Sequence, residues 1–255
     1  DREERPDVDA IYMSAVHMMV GRGGWPMTVM MTPDGDPFFT GTYFPARDGD
    51  RGTRKGFLTI LGELSESYTN DKDSVVSRAK EVSSRLKRLS KPRPGGQVPT
   101  ADAIQKTAEA YSQRFDAHWG GFGRRPKFPR PSSLDFLLRY HRRTQDPKAL
   151  KMVNLTLERM ARGGMYDLVG GGFHRYSVDT RWLVPHFEKM LYDNGQLVTV
   201  YLDAFQVSRT PRFEHVVREV LDYVIAEMTS PAGGFYSATD ADSMGPSGHR
   251  EEGYF

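Results

Sequence analysis

The sequence contains no cysteine. Disulfides, thiolate nucleophiles and thiolate metal sites are therefore excluded within this chain. It also lacks a surplus of either charge, since 35 basic and 33 acidic residues leave a net charge of +2. Dedicated nucleic-acid and membrane-surface binders usually carry a strong basic excess, so neither partner is expected. No apolar run approaches the length of a membrane span, and no signal peptide opens the chain. The absence of cysteine fits a cytoplasmic protein. The chain begins at Asp1 without Met and stops at Tyr254-Phe255, straight after a turn-rich stretch, as a piece of a longer protein would. Its 255 residues suffice for one large domain or two ordinary ones.

What is present divides at residues 90–100, SKPRPGGQVPT, a run rich in proline and glycine that reads as a linker. Before it, residues 1–9 are polar and lead into a helix over 10–19. Trp25-Pro26 precedes a strand over 27–32, a Pro33-Asp34-Gly35-Asp36 turn and a second strand over 37–40. Asp-Gly between two apolar runs is a hairpin signal, because such a turn needs positive φ. Two helices follow, one with Phe57, Ile60, Leu61, Leu64 and Tyr68 on a single face.

Beyond the linker the pattern is helical throughout. Helices are expected over 103–115, from Ser132 or Ser133 to His141, from Asp146-Pro147 to Arg162, over 186–207, and from Thr210-Pro211 to Met228. Gly163-Gly164 stops the third of these. Gly-Gly-Phe recurs at 120–122, 171–173 and 233–235, each time in a loop after a helix. Helix pairs with a recurring loop signify stacked hairpins, whose loops share one end of the assembly.

Proton-handling groups concentrate in residues 163–194, GGMYDLVGGGFHRYSVDTRWLVPHFEKMLYDN. With a helix starting near His186, that residue, Lys189 and Asp193 fall on one stripe, their offsets being three and four. His174 and His186 suit a base and an acid, with Glu188 or Asp193 to orient an imidazole. Hydrolysis needs two carboxylates instead, and Glu188 or Asp193 can pair with Asp240 or Asp242 from the next loop. The alternative is structural, with His186 and Glu188 serving a helix start and Asp193 pairing with an arginine. A metal at Asp240 and Asp242 needs a third ligand from elsewhere, so none is expected. Gly170-Gly171-Gly172 is not wedged between a strand and a helix start, so it is no phosphate cradle. The basic run Arg124, Arg125, Lys127 and Arg130 could touch a sugar phosphate or nucleic acid, but reads rather as a solvated loop pairing with nearby acids.

Two stretches carry a family likeness. DREERPDVDAIYMSAVHMMVGRGGWPMTVMMTPDGDPFFTGTYFP resembles the second half of a thioredoxin-like domain, in which the proline matching Pro26 is cis and faces the redox site. GGFGRRPKFPRPSSLDFLLRYH, the 163–194 stretch and GGFYSATDADS together resemble the spermatogenesis-associated, thioredoxin-domain-containing family. The resemblance implies α/β followed by all-α: a thioredoxin-like domain over 1–90 lacking its N-terminal part, a linker over 91–100, and over 101–255 the first helical hairpins of an (α/α)6 toroid. Such toroids are similar to those of six-hairpin glycosidases and N-acylglucosamine 2-epimerases. The paired cysteines of the family would lie upstream of Asp1. The implied function is carbohydrate-active, epimerase-like or glycosidase-like, with His174, His186, Glu188 and Asp193 catalytic. Arg175, Tyr176, Trp182, Lys189, Tyr192, Asp240 and Asp242 would then bind substrate. The alternative is a thiol-redox or protein-quality module that uses the toroid as a platform, or a non-catalytic scaffold. No cofactor is called for. The expected partners are a carbohydrate or other small molecule in the toroid, and a peptide or protein beside Trp25-Pro26.

Overall fold

The structure, a computed structural model, describes residues 4–91, 98, 100–123 and 125–253. Most of the expected linker, and Arg124 of the basic run, lie outside the described residues. The chain forms two compact units, 1–97 and 98–255.

In the first unit, α1 (Pro6–Val20) starts at Pro6, several residues earlier than its apolar spacing indicates. Proline is at home in the first turn, where its missing N–H has no partner to lose, so the polar lead-in became helix. The left-handed Gly21 ends it. β1 (Thr28–Met31) and β2 (Pro37–Gly41) pair antiparallel as expected, with a register irregularity between Met30 and Met31. The turn between them places Gly35 at φ 82. The Trp25–Pro26 peptide is cis, as the resemblance implies, and the Trp25 indole donates to Asp9 at 2.8 Å. α2 (Phe57–Asn70) and α3 (Lys72–Leu89) complete the unit, with Ile60, Val75, Ala79 and Leu86 buried.

The second unit is built from α4 (Ala101–Arg114), α5 (Pro131–Thr144), α6 (Pro147–Arg162), α7 (Leu191–Ser208) and α8 (Pro211–Glu227). α6 shows why these segments are helices that pack. Ala149, Met152, Val153, Thr156, Leu157, Met160 and Ala161 recur at three- and four-residue spacing, and all are buried. Each large apolar side chain so buried contributes about 1.5–3 kcal/mol. The Asp146 carboxylate caps α6 by accepting the Lys148 N–H at 2.9 Å. Ser132 and Ser133 do not cap α5. Arg130 occupies the cap position, and the Ser133 hydroxyl donates to Tyr111 instead. α5 packs on α6 and α7, and α7 on α8. Among the described residues, no helix is long and apolar enough to cross a membrane.

The loops between these helices are joined edge to edge by short antiparallel pairings. Lys127 bridges Ser177, β3 (Tyr176–Ser177) pairs with β4 (Pro185–His186), and β5 (Lys189–Met190) pairs with β6 (Ala238–Thr239). After them β7 (Asp242–Met244) and β8 (Arg250–Glu252) form a hairpin.

This corrects one expectation: the helix expected from His186 begins at Leu191. Residues 185–190 are extended, because their backbone is taken up by pairing with β3 and β6. Gly163-Gly164 does more than end α6. A Cβ at Gly163 would lie 2.2 Å from the Trp182 carbonyl oxygen, and one at Gly164 2.1 Å from that of Leu183. The pair lets the 182–183 backbone cross directly against the helix end.

Candidate functional site

The Gly-Gly-Phe loops share a construction that reaches beyond those three residues. In the first, Asp116 precedes Gly120-Gly121-Phe122. Its amide donates to the Gly121 carbonyl, and its carboxylate accepts the N–H groups of His118 and Trp119. Asp167 does the same before Gly171-Gly172-Phe173, accepting from Val169 and Gly170. Both glycines of these two loops are left-handed, with φ between 69 and 78. The third loop is one residue tighter and carries Ser230 in the aspartate's place.

Each aspartate holds a lysine that arrives just before the next helix. Lys127 Nζ donates to Asp116 at 2.8 Å and to the Thr180 carbonyl at 2.9 Å, above the Trp182 ring. Lys189 Nζ donates to Asp167 and to the Gly171 carbonyl, both at 2.7 Å, and sits 4.4 Å from the Tyr223 ring centroid. Both lysines are buried. Burial pushes the Asp167 carboxyl up, but Lys189 and the two backbone N–H donors outweigh it and hold the group below the usual carboxylate range. These charged stitches close each loop on itself, and Lys127 also ties the first loop to the second through the Thr180 carbonyl.

They also redistribute the residues singled out in the sequence. Lys189 belongs to the stitch. Trp182 is fully buried and donates its indole N–H to the Trp119 carbonyl at 2.9 Å, so it is part of the loop packing. His174 is buried and bonds the Phe187 carbonyl through Nδ1 at 3.0 Å. Burial pulls its pKa down to about 4, a tendency the Phe187 carbonyl opposes. A neutral, enclosed imidazole of this kind holds two loop strands together. Asp240 is exposed and pairs with Arg250, while its Oδ1 accepts the Asp242 N–H.

The remaining groups come together, and the extended backbone explains how. Alternate residues of a strand share a face. His186 and Glu188 therefore lie side by side, 3.8 Å between Nε2 and Oε2, while Lys189 points the opposite way. This pairing replaces the helical stripe of His186, Lys189 and Asp193. Arg175 reaches Glu188 across the loop at 2.5 Å. Tyr176 stacks on the His186 ring at 4.9 Å between centroids, as its register in β3–β4 requires. Asp193 enters from the first turn of α7. Burial raises its pKa to about 6, Arg175 opposes the shift and Glu188 adds to it. A helix start normally favours the ionised carboxylate, so desolvation wins here. Tyr192 is raised too, by burial and then by the Asp193 charge.

Glu252 escaped the sequence reading, and Asn194, visible there only as part of a polar cluster with Tyr192 and Asp193, has a role that reading did not assign. Glu252 Oε1 lies 2.6 Å from His186 Nδ1, across 66 residues of chain. Asn194 is fully buried: its Oδ1 accepts the Phe173 N–H at 2.7 Å, and its Nδ2 donates to the carbonyls of Phe173 and Met190. Asn194→Ala would strand the Phe173 N–H and carbonyl in the interior, at a cost of about 1–3 kcal/mol. Urea unfolding of wild type and variant checks this, and a change below about 0.5 kcal/mol would mean that water replaces the amide.

Beyond the stitch, Asp167, Val169, Gly170, Lys189, Tyr223, Glu227 and Thr239 line an open cleft of about 520 Å³. Among the described residues no group of three His, Cys, Asp or Glu is placed to hold a metal ion. With no cysteine, thiol–disulfide exchange is beyond this chain's own residues.

Fold and site define an α/β hairpin unit followed by helical hairpins of the toroid kind, whose Gly-Gly-Phe loops are stitched together along one edge. Residues 1–87 match the family described as Thioredox_DsbH, protein of unknown function, DUF255. Spermatogenesis-associated protein 20 of Rattus norvegicus is 45% identical over 95% of the chain, and that of Homo sapiens 44% identical over 98%. The chain belongs to this spermatogenesis-associated, thioredoxin-domain-containing family. It spans about a third of those relatives' length, 31% and 32% respectively. Among solved structures, cellobiose 2-epimerase from Bacillus thermoamylovorans aligns with 55% of this chain and 40% of its own, at 12% identity and TM-score 0.47. A sugar epimerase from a ruminal bacterium aligns over the same shares at 13% identity and TM-score 0.48.

Proposed function

We propose that residues 163–194 form one wall of a carbohydrate site, in which His186 and Asp193 move protons in an epimerase- or isomerase-like reaction. The observation that carries this reading is the pairing of unlike groups around one arginine. Asp193, raised to about 6, stands beside the Arg175–Glu188 ion pair, and His186 lies against Glu188. Epimerisation next to a carbonyl takes a proton from one face of a carbon and returns one to the other. His186 is the base. Asp193, protonated below about pH 6, is the acid. Glu188, held by Arg175, lies against the imidazole, where a carboxylate favours the imidazolium that forms once the proton has moved. Tyr192, half exposed, supplies a flat surface of the kind that sugar rings pack on, while Tyr176 stands between Phe128 and His186 and braces the imidazole. His174, Trp182 and Lys189 are assigned to holding the wall in shape.

A hydrolase-like reaction would use the same Asp193 as its acid, since glycoside cleavage also needs a carboxyl that stays protonated. One assay separates the two. The protein, at the full length of its family, is incubated with reducing sugars and disaccharides in heavy water and followed by NMR. Deuterium appearing on the carbon beside the carbonyl is the expected result. Release of free sugar without exchange would select the hydrolase-like reaction, and the absence of both would overturn the carbohydrate reading.

A further inference from the structure

Glu252 arrives from outside the 163–194 stretch. It stands at the end of β8, and the β7–β8 hairpin is closed by the Gly253 N–H to the Ala241 carbonyl at 2.9 Å and by the Ser243 hydroxyl to the Gly253 carbonyl at 2.5 Å. From there Glu252 Oε1 meets His186 Nδ1 at 2.6 Å and also accepts the Phe187 N–H at 3.3 Å. The imidazole is held from a second direction by Tyr176, whose ring is nearly parallel to it at 17°. Its other nitrogen, Nε2, is directed to Glu188, 3.8 Å away.

We propose that Glu252 is the positioning residue of this site, fixing His186 in the form that carries its proton on Nδ1 and keeps Nε2 bare. An ionised carboxylate only accepts hydrogen bonds. The short contact at Nδ1 therefore requires the proton there, and the lone pair of the neutral ring is left on Nε2. Nε2 faces the Arg175–Glu188 ion pair, and it is there that a substrate proton would be taken. The second hydrogen bond, from Phe187 N–H, fixes the carboxylate itself, so ring and acceptor are both oriented. This rests on the proton-transfer reading for what the bare nitrogen does, but the tautomer is independent of it. The hairpin after the third Gly-Gly-Phe loop thereby completes a site begun at the second.

The test is nitrogen NMR of the full-length protein labelled with 15N-histidine, recorded where His186 is neutral, for wild type, Glu252→Leu and Glu252→Gln. Wild type is expected to show Nδ1–H. Glu252→Leu is expected to show Nε2–H, whereas Glu252→Gln retains Nδ1–H because its amide oxygen still accepts. If the reaction is present, kcat falls roughly 100-fold in Glu252→Leu with KM nearly unchanged, and partly recovers in Glu252→Gln. An unchanged tautomer in Glu252→Leu, with the rest of the histidine spectrum as in wild type, would overturn the assignment. The expected tautomers in a protein without exchange activity would overturn the reaction and leave Glu252's role standing.

Discussion

Lys189→Met lowers the unfolding free energy by about 3–5 kcal/mol, the range for removing one partner of a buried ion pair. The lysine side chain is 3% exposed and its aspartate 18%, so solvent replaces only part of the lost contacts. Three interactions disappear together: the Asp167 ion pair, the bond to the Gly171 carbonyl, and the contact with the Tyr223 face. Asp167 then keeps only its bonds from the Val169 and Gly170 N–H groups. Methionine fills most of the lysine volume, so the loss measures charge rather than a cavity. Urea unfolding monitored by tryptophan fluorescence reads it. The double variant Lys189→Met, Asp167→Asn should cost less than the sum of its single changes, since the two groups share one interaction. A single-variant cost below about 1 kcal/mol would mean that the pair is no better than a surface salt bridge. The same logic applies to Lys127 and Asp116.

His186→Gln lowers the exchange rate about 10²–10⁴-fold, the contribution of a positioned general base, with little change in stability. The imidazole is partly exposed and stacks on one ring, so the fold loses little when it is replaced. His174→Gln should behave in the opposite way. That ring is enclosed and holds the Phe187 carbonyl, so stability should fall further than the rate of the folded protein. Equal rate losses in both variants would contradict the division of labour between the two histidines.

The helices were legible because their apolar residues recur at helical spacing, and the β1–β2 hairpin because Asp34-Gly35 interrupts two apolar runs. The connection before α7 was not. Offsets of three and four among His186, Lys189 and Asp193 fit a helix stripe, yet the segment is extended. Its backbone partners, Tyr176-Ser177 and Ala238-Thr239, come from other loops that no local pattern announces. Pro185 was the available signal, since a proline just ahead of His186 sits equally well at the start of a strand. The clustering of proton-handling groups in 163–194 was visible, but not their division into wall and site. His174, Trp182 and Lys189 differ from His186 and Glu188 only in burial, which depends on the tertiary packing. The aspartates were within reach of sequence reading, because Asp116 and Asp167 each stand four residues ahead of a Gly-Gly-Phe triplet. Glu252 was not, since only the fold brings it to His186.

The most direct measurement of the account is the titration of the Asp193 carboxyl, followed by carbon NMR in wild type and in Glu188→Gln and Arg175→Met. Burial is the main cause of its elevation, Glu188 adds to it and Arg175 opposes it. The predicted midpoint is about 6, moving down in Glu188→Gln and up in Arg175→Met. Because this folded-state pKa lies above the unfolded value, the carboxyl contributes its full stability below the unfolded pKa and loses it as pH rises through 6. Its use as an acid should fade over the same rise. A midpoint at the ordinary aspartate value, indifferent to both variants, would leave the site without its acid and contradict the proton-transfer account.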